Sequence, residues 1–346
     1  MAFSDQSTTN KLLLILVLPI IFYSLQILSF IFIPLMFAVF IAMLFTPMMR
    51  WMNKRKFPKV LSLMAVVTII VITLFSIFKL VQLSSNEVNE GKDVLSVKFE
   101  SKVETLLNPF SEILGIEKSE GQSALRELMN SSKVGDLIFN NFTITFSFVR
   151  LTVVNTLMTL FFLILFLAGS INVNNLLQTA LFKGRTQTVK TFMKVEKSVS
   201  KFLKVKIAIS MLTGIAFGII AWSLGISFPL FWGLLAFVIN FVQMVGSVIS
   251  VILVMLFTYV EIDNPGTVLL VGILFTAAQV LFGAVLEPIF MGKSFSINII
   301  VVLVMLMFWG FLWGIAGLIL AIPLTVVLKI ILSENPGTAK IADIMS

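Results

Sequence analysis

The stretch Leu286–Lys293, LEPIFMGK, sets a carboxylate, a proline and a Gly-Lys pair between two long apolar runs. Glu287 has no acidic loop beside it, whereas Glu261 and Asp263 share a polar turn with Asn264, Pro265 and Gly266. An ionisable side chain in or beside lipid is costly and is kept for pairing or for moving charge. Two chemistries fit. Glu287 and Lys293 can form a pair at the membrane edge, with Pro288 and Gly292 bending the backbone as a hinge. Alternatively, Glu287 is a gate or proton-sensitive group whose neutral form is favoured by desolvation. The hinge is the leading reading.

A second set of residues offers uncharged chemistry. Asn240, Gln243, Gln279 and Asn298 are amides set in apolar surroundings, and Gly246 follows the first two closely. Singly, each amide is a helix-packing hydrogen bond worth ~0.6 kcal/mol. Together they supply donors and acceptors for a polyhydroxylated solute. Other chemistries are excluded by composition. The chain has no Cys and no His, which removes thiolate nucleophiles and the commonest metal ligand and general base. No Gly-rich phosphate loop of the Walker type occurs. No catalytic residue, metal site or cofactor is expected, and the chain does not read as an enzyme.

These residues must be positioned by helices in lipid. Of 346 residues, 58% are hydrophobic and 12% charged, about half the charged share of a soluble domain. Apolar runs of ~20 residues recur, which is the length that crosses a bilayer. The expected fold is all-α and polytopic, with about eight hydrophobic segments and a small helical extramembrane insert. Residues 1–83 form the N-terminal membrane segments, 84–148 the insert, 149–332 the transport core and 333–346 a cytoplasmic tail. The insert carries most of the seventeen carboxylates and reads as two or three short amphipathic helices. The 50–59 loop carries Arg50, Lys54, Arg55, Lys56 and Lys59 with no acid, and the 171–206 loop is equally Lys-rich. Basic loops face the cytoplasm, which places both termini inside and the insert outside. The +8 net charge thus reflects topology and lipid, not nucleic acid.

Two apolar segments are too long for single spans. As straight helices, Pro229–Val260 and Ile297–Leu332 would measure about 48 and about 54 Å against a ~30 Å hydrocarbon core. Each is interrupted near its middle, the first by Asn240, Gln243 and Gly246, the second by Gly310, Gly314 and Gly317 before Pro323, and these last three glycines join Glu287, Pro288, Gly292 and Lys293 as hinge or gate candidates. They are either helical hairpins or overlong spans whose glycines permit close packing. Paired interrupted segments point to a transporter's binding site.

The stretches PLFWGLLAFVINFVQMVGSVIS and LEPIFMGKSFSINIIVVLVMLMFWGFLWGIAGLILAIPLTVVLKIIL, in that order, resemble the two signature regions of the autoinducer-2 exporter family of bacterial permeases. KVEKSVSKFLKVKIAISMLTGIAFGI and FIPLMFAVFIAMLFTPMMRWMNKRKFPK fit as well, so that the resemblance covers nearly the whole chain and is weakest in 84–148. Two departures stand out. Gln243 occupies a position where the family pattern usually has Pro, and the Pro often found near Asn298 is missing. The resemblance implies a homo-oligomeric permease of the bacterial inner membrane, a pentamer in the family. Some members resemble exporters of the furanone-type quorum signal, and others resemble monovalent cation/proton antiporters.

Three functions follow as expectations. The first is export of a small polar molecule through a site between the interrupted segments. The second is cation/proton antiport at Glu287. The third is a non-transport envelope scaffold whose 84–148 insert binds a partner.

Overall fold

The computed structural model describes residues 13, 16–17, 19–114, 142–170, 186–242, 245–262, 264–292, 297–334 and 337–345. Among these every regular element is helical. In chain order they are α1 (Ser29–Lys54), α2 (Lys59–Leu114), α3 (Phe142–Ser170), α4 (Thr186–Ser223), α5 (Pro229–Ile239), α6 (Val245–Glu261) and α7 (Pro265–Gln279). A π-helical turn, Val280–Leu286, continues α7 into α8 (Glu287–Met291), and α9 (Ile299–Ser333) and α10 (Ala339–Ile344) complete the chain. Among the described residues, five stretches are long and apolar enough to cross a membrane: Ser29–Lys54, Lys59–Gly91, Val189–Ser223, Pro265–Met291 and Ile299–Ser333. Three apolar helices are shorter: Val154–Gly169, Pro229–Ile239 and Val245–Glu261. The short helices expected over 84–148 are replaced, as far as Leu114, by direct continuation of α2 from its apolar part. Residues 115–141 lie outside the described residues, as do Gln243, Lys293 and 171–185.

The chain forms two compact units. Unit 1 comprises 1–71, 155–207 and 288–346. Ala38, Ala42 and Met49 of α1 pack with Val66 and Ile70 of α2 and Leu163 and Leu167 of α3. The four- and seven-residue steps within each set place its members on one helix face. A second cluster joins Phe40 to Val195 and Val199 of α4 and to Leu312, Trp313, Leu320, Val326 and Ile330 of α9.

Unit 2 comprises 72–154 and 208–287. Its α4–α5 contact is made by small residues. A Cβ on Gly214 would lie 2.7 Å from the Gly233 carbonyl oxygen, and one on Gly233 would lie 2.8 Å from that of Gly214. Backbones approach this closely only where side chains are absent. Phe217 and Phe275 meet edge to face at 4.6 Å in the core of the unit. Phe228, at the start of α5, holds a left-handed φ of 63° that a bulky residue rarely adopts. Its ring presses on Gly91 of α2, where a Cβ would lie 2.5 Å from it.

Both overlong segments are hairpins. The first breaks into α5 and α6 across residues 240–244. Gly246 sits against Ile239, where a Cβ would fall 2.8 Å from the Ile239 carbonyl carbon. Farther from the turn, the Phe257 ring lies 5.0 Å from Trp232 and 5.7 Å from Phe228. These pairs are all centred near residue 243, so the arms run antiparallel. With 11 and 17 residues, the arms measure about 16 and about 25 Å, each short of a ~30 Å core.

The second reversal is tighter. Gly314 alone leaves helical geometry, at φ 60° and ψ −138°, a conformation open to glycine and strained for other residues. Gly317 packs on Trp309 and Gly310 on Leu318. Residues eight apart in a straight helix would stand about 12 Å apart. The tail gives independent proof. The Asn298 amide donates to the Met345 carbonyl at 3.0 Å. A straight α9 would span about 52 Å. The twelve residues from Ser333 to Met345, even fully extended, reach only about 43 Å. The tail expected at 333–346 is therefore tied down on the start of α9, with Ala342 and Met345 buried.

Candidate functional site

Breaking a helix in lipid frees backbone groups that must be buried in protein or face a wet cavity. In unit 2 the turn of the first hairpin is surrounded by buried uncharged polar side chains. Asn240 ends α5, and its side-chain amide donates to Ser210 Oγ of α4 at 3.0 Å. Both residues are buried, as is Thr213 one turn along α4, whose hydroxyl donates to the Ile209 carbonyl. On the α6 side, Ser250 Oγ accepts a 3.0 Å hydrogen bond from Gln279 Nε2. Gln279 stands at the end of α7, and the helix then loosens into the π turn. Such π turns gather at functional sites because they shift side chains out of α register.

The Gln279 carbonyl is the exception in this network. Gln279 is 6% exposed, yet its Oε1 has no hydrogen-bond partner among the described residues. A buried acceptor left unmade costs about 1–3 kcal/mol. Gly283, in the π turn, leaves room beside it. A Cβ there would meet Gln279 Oε1 and Ser247 Oγ, each at 3.9 Å. The local chemistry suits a hydroxyl or amide donor entering between α6 and the π turn.

The structure brings Asn240, Gly246 and Gln279 into unit 2, with Ser247 and Ser250 added. Sequence reasoning passed over these two serines, because serines are common in apolar helices. Their three-residue spacing and their place beside Gly246 were the available signal. Asn298 lies in unit 1, where its Oδ1 accepts from the Ile300 amide at 2.9 Å and caps α9. Gly310, Gly314 and Gly317 serve the second reversal.

LEPIFMGK also resolves into parts. Glu287 is 3% exposed and opens α8 as the π turn ends; Pro288 follows within α8. Gly292 ends the helix at φ 68°, a left-handed position that suits glycine. The freed Met291 carbonyl accepts from Lys201 Nζ of α4 at 2.6 Å. Lys201 is thus a cap on this helix end that the sequence did not reveal. In the same unit, Arg50 and the buried Glu196 pair at 2.6 Å.

A family model described as "AI-2E family transporter" matches residues 12–337. The chain belongs to the AI-2E transporter family. It is 28% identical to "AI-2 transport protein TqsA" of Escherichia coli K12 over 324 residues, covering 91% of this chain and 89% of that protein. It is 35% identical to a "Putative transport protein" of Borreliella burgdorferi over 183 residues, 52% of this chain and 51% of that one. It is also 35% identical to "Putative transport protein YhhT" of Escherichia coli K12 over 146 residues, 42% of each. The last two alignments thus span about half or less of those proteins. Family membership and the apolar helices make the chain a multi-pass membrane protein of a transport family.

Proposed function

We propose that this protein is a permease of the bacterial inner membrane that exports a small, uncharged, hydroxylated molecule. We assign its path to Asn240 and Gly246 on the first hairpin and Gln279 at the end of α7, with Gln243 added from its position in the sequence alone. The unpartnered Gln279 Oε1, buried beside a broken helix, carries this reading. A donor on the solute would satisfy it, and the loss of that bond would return the solute to water. No charge is needed, and none of these four residues carries one. The TqsA relative, named for AI-2 transport, makes an AI-2-like quorum signal the first solute to test. The basic loops support a topology with both termini in the cytoplasm and the 84–148 region outside. The family resemblance supports a homo-oligomeric working form, with a pentamer as the first stoichiometry to test. AI-2 efflux from vesicles holding the full chain should fall at least tenfold in Asn240→Ala/Gln243→Leu, with assembly retained. Efflux at the wild-type rate in that variant would refute the site.

The buried Glu287 at the end of the π turn favours a second reading, cation/proton antiport. There Glu287→Gln abolishes cation-driven proton flux in proteoliposomes. The absence of such flux in the wild type ends that reading directly.

A further inference from the structure

From Lys190 to Trp222, helix α4 turns one face outward, and that face changes character midway. Lys190, Lys194, Lys197, Lys201 and Lys204 are all exposed. At 100° per residue they fall within about 80° of arc. The opposite side carries the buried Val195, Val199 and Phe202. Beyond Lys204 the same outward stripe continues as Leu212, Ile215, Ile219 and Trp222, exposed by 44%, 49%, 58% and 75%. Lys204 and Trp222 are about 27 Å apart along the axis, close to the ~30 Å thickness of the hydrocarbon layer. Tryptophan and lysine are the residues that mark the two edges of that layer. Lys204 therefore stands at the level of the lipid headgroups.

Headgroups occupy about 5–8 Å on each side of the core. Lys201 lies about 5 Å beyond Lys204 and Lys197 about 10 Å, within the reach of a flexible side chain. Lys190, about 21 Å out, is beyond that zone and beyond the ~8 Å over which salt permits attraction. Among the described residues, the acids Glu196 and Glu334 beside the inner stripe are engaged elsewhere. Glu196 is turned to Arg50, and Glu334 is paired with Lys194 at 3.0 Å. Lys201 keeps its bond to Met291 while remaining exposed.

We propose that Lys197, Lys201 and Lys204 form a docking stripe for anionic phospholipid headgroups at one face of the membrane. The stripe would fix the depth of α4 and, through Lys201, couple lipid charge to the helix end at Met291. The test uses full-length protein in a neutral detergent, with retained lipid counted by native mass spectrometry. Phosphatidylglycerol should be held in preference to phosphatidylcholine at low salt. Lys197→Gln and Lys204→Gln should each weaken that preference roughly fivefold, and salt should erase it. Lys190→Gln should leave it unchanged, and Lys197→Arg/Lys204→Arg should retain it. Matched melting temperatures in neutral detergent show that the variants are folded. Equal retention of the two lipids overturns the proposal, as does an equal loss in Lys190→Gln. Displacement of the lipid by inorganic phosphate at constant ionic strength also overturns it, because the site would then take a free anion.

Discussion

Replacing Gly317 by alanine distinguishes a reversed α9 from a straight one by the sign of its effect. In the hairpin, the added Cβ would sit 2.5 Å from the Trp309 carbonyl carbon and 3.1 Å from Trp313 Cβ, and closer still to the Trp309 carbonyl oxygen. Ordinary contact begins at 3.4 Å, so the two arms must part by at least about 1 Å. The obstacle is backbone on a tight turn, which cannot rotate away as a side-chain tip can. Overpacking of this kind costs about 3 kcal/mol. In a straight helix the same change would remove a poor helix former and stabilise by about 1 kcal/mol. Gly169, helical with nothing among the described residues within 4 Å of its added Cβ, is the control and should show the small stabilisation. Melting of detergent-solubilised protein, followed by the loss of the monodisperse peak after heating, reads both. At about 2–4 °C per kcal/mol, Gly317→Ala should melt about 6–12 °C below wild type. Melting at or above wild type would show that the arms do not meet there.

Other expectations concern the supports of each unit. Arg50→Ala leaves the carboxylate of the buried Glu196 without its guanidinium and should cost about 2–3 kcal/mol, discounted for the exposure of Arg50. Arg50→Met/Glu196→Leu should recover most of that loss in the same melting assay. Lys201→Met uncaps Met291; hydrogen exchange at residues 287–292 should rise several-fold while the rest of α4 stays protected. Gly91→Ala forces the ring of a conformationally strained Phe228 and should destabilise by about 1–3 kcal/mol, measured by the same melting shift.

The helices and the two interruptions were legible in the sequence because both follow from composition. Long apolar runs set the spans, and excess length together with Asn240, Gly246 and Gly314 marked the breaks. Charge counting could not choose hairpins over long spans, because the flanking loops are short and lightly charged. What decides it is backbone proximity, Gly246 on Ile239 and Gly317 on Trp309, which no hydropathy pattern encodes. The candidate site was half legible. Asn240 and Gln279 stood out as amides among apolar residues. Asn298 looked alike but caps a helix, since an amide beside the first turn and an amide facing a solute read the same in sequence. Lys201 was hidden because its partner is a main-chain carbonyl ninety residues away.

The reversal at 240–244 creates the turn on which the solute site is built, and it can be measured as one distance. The chain has no native cysteine, so spin labels can be attached at Leu230→Cys and Leu256→Cys alone. Antiparallel arms in contact have axes about 8–10 Å apart, which puts the labels within about 20 Å of each other in a lipid bilayer. A continuous helix would hold them about 39 Å apart, and a distance distribution centred there would contradict the account.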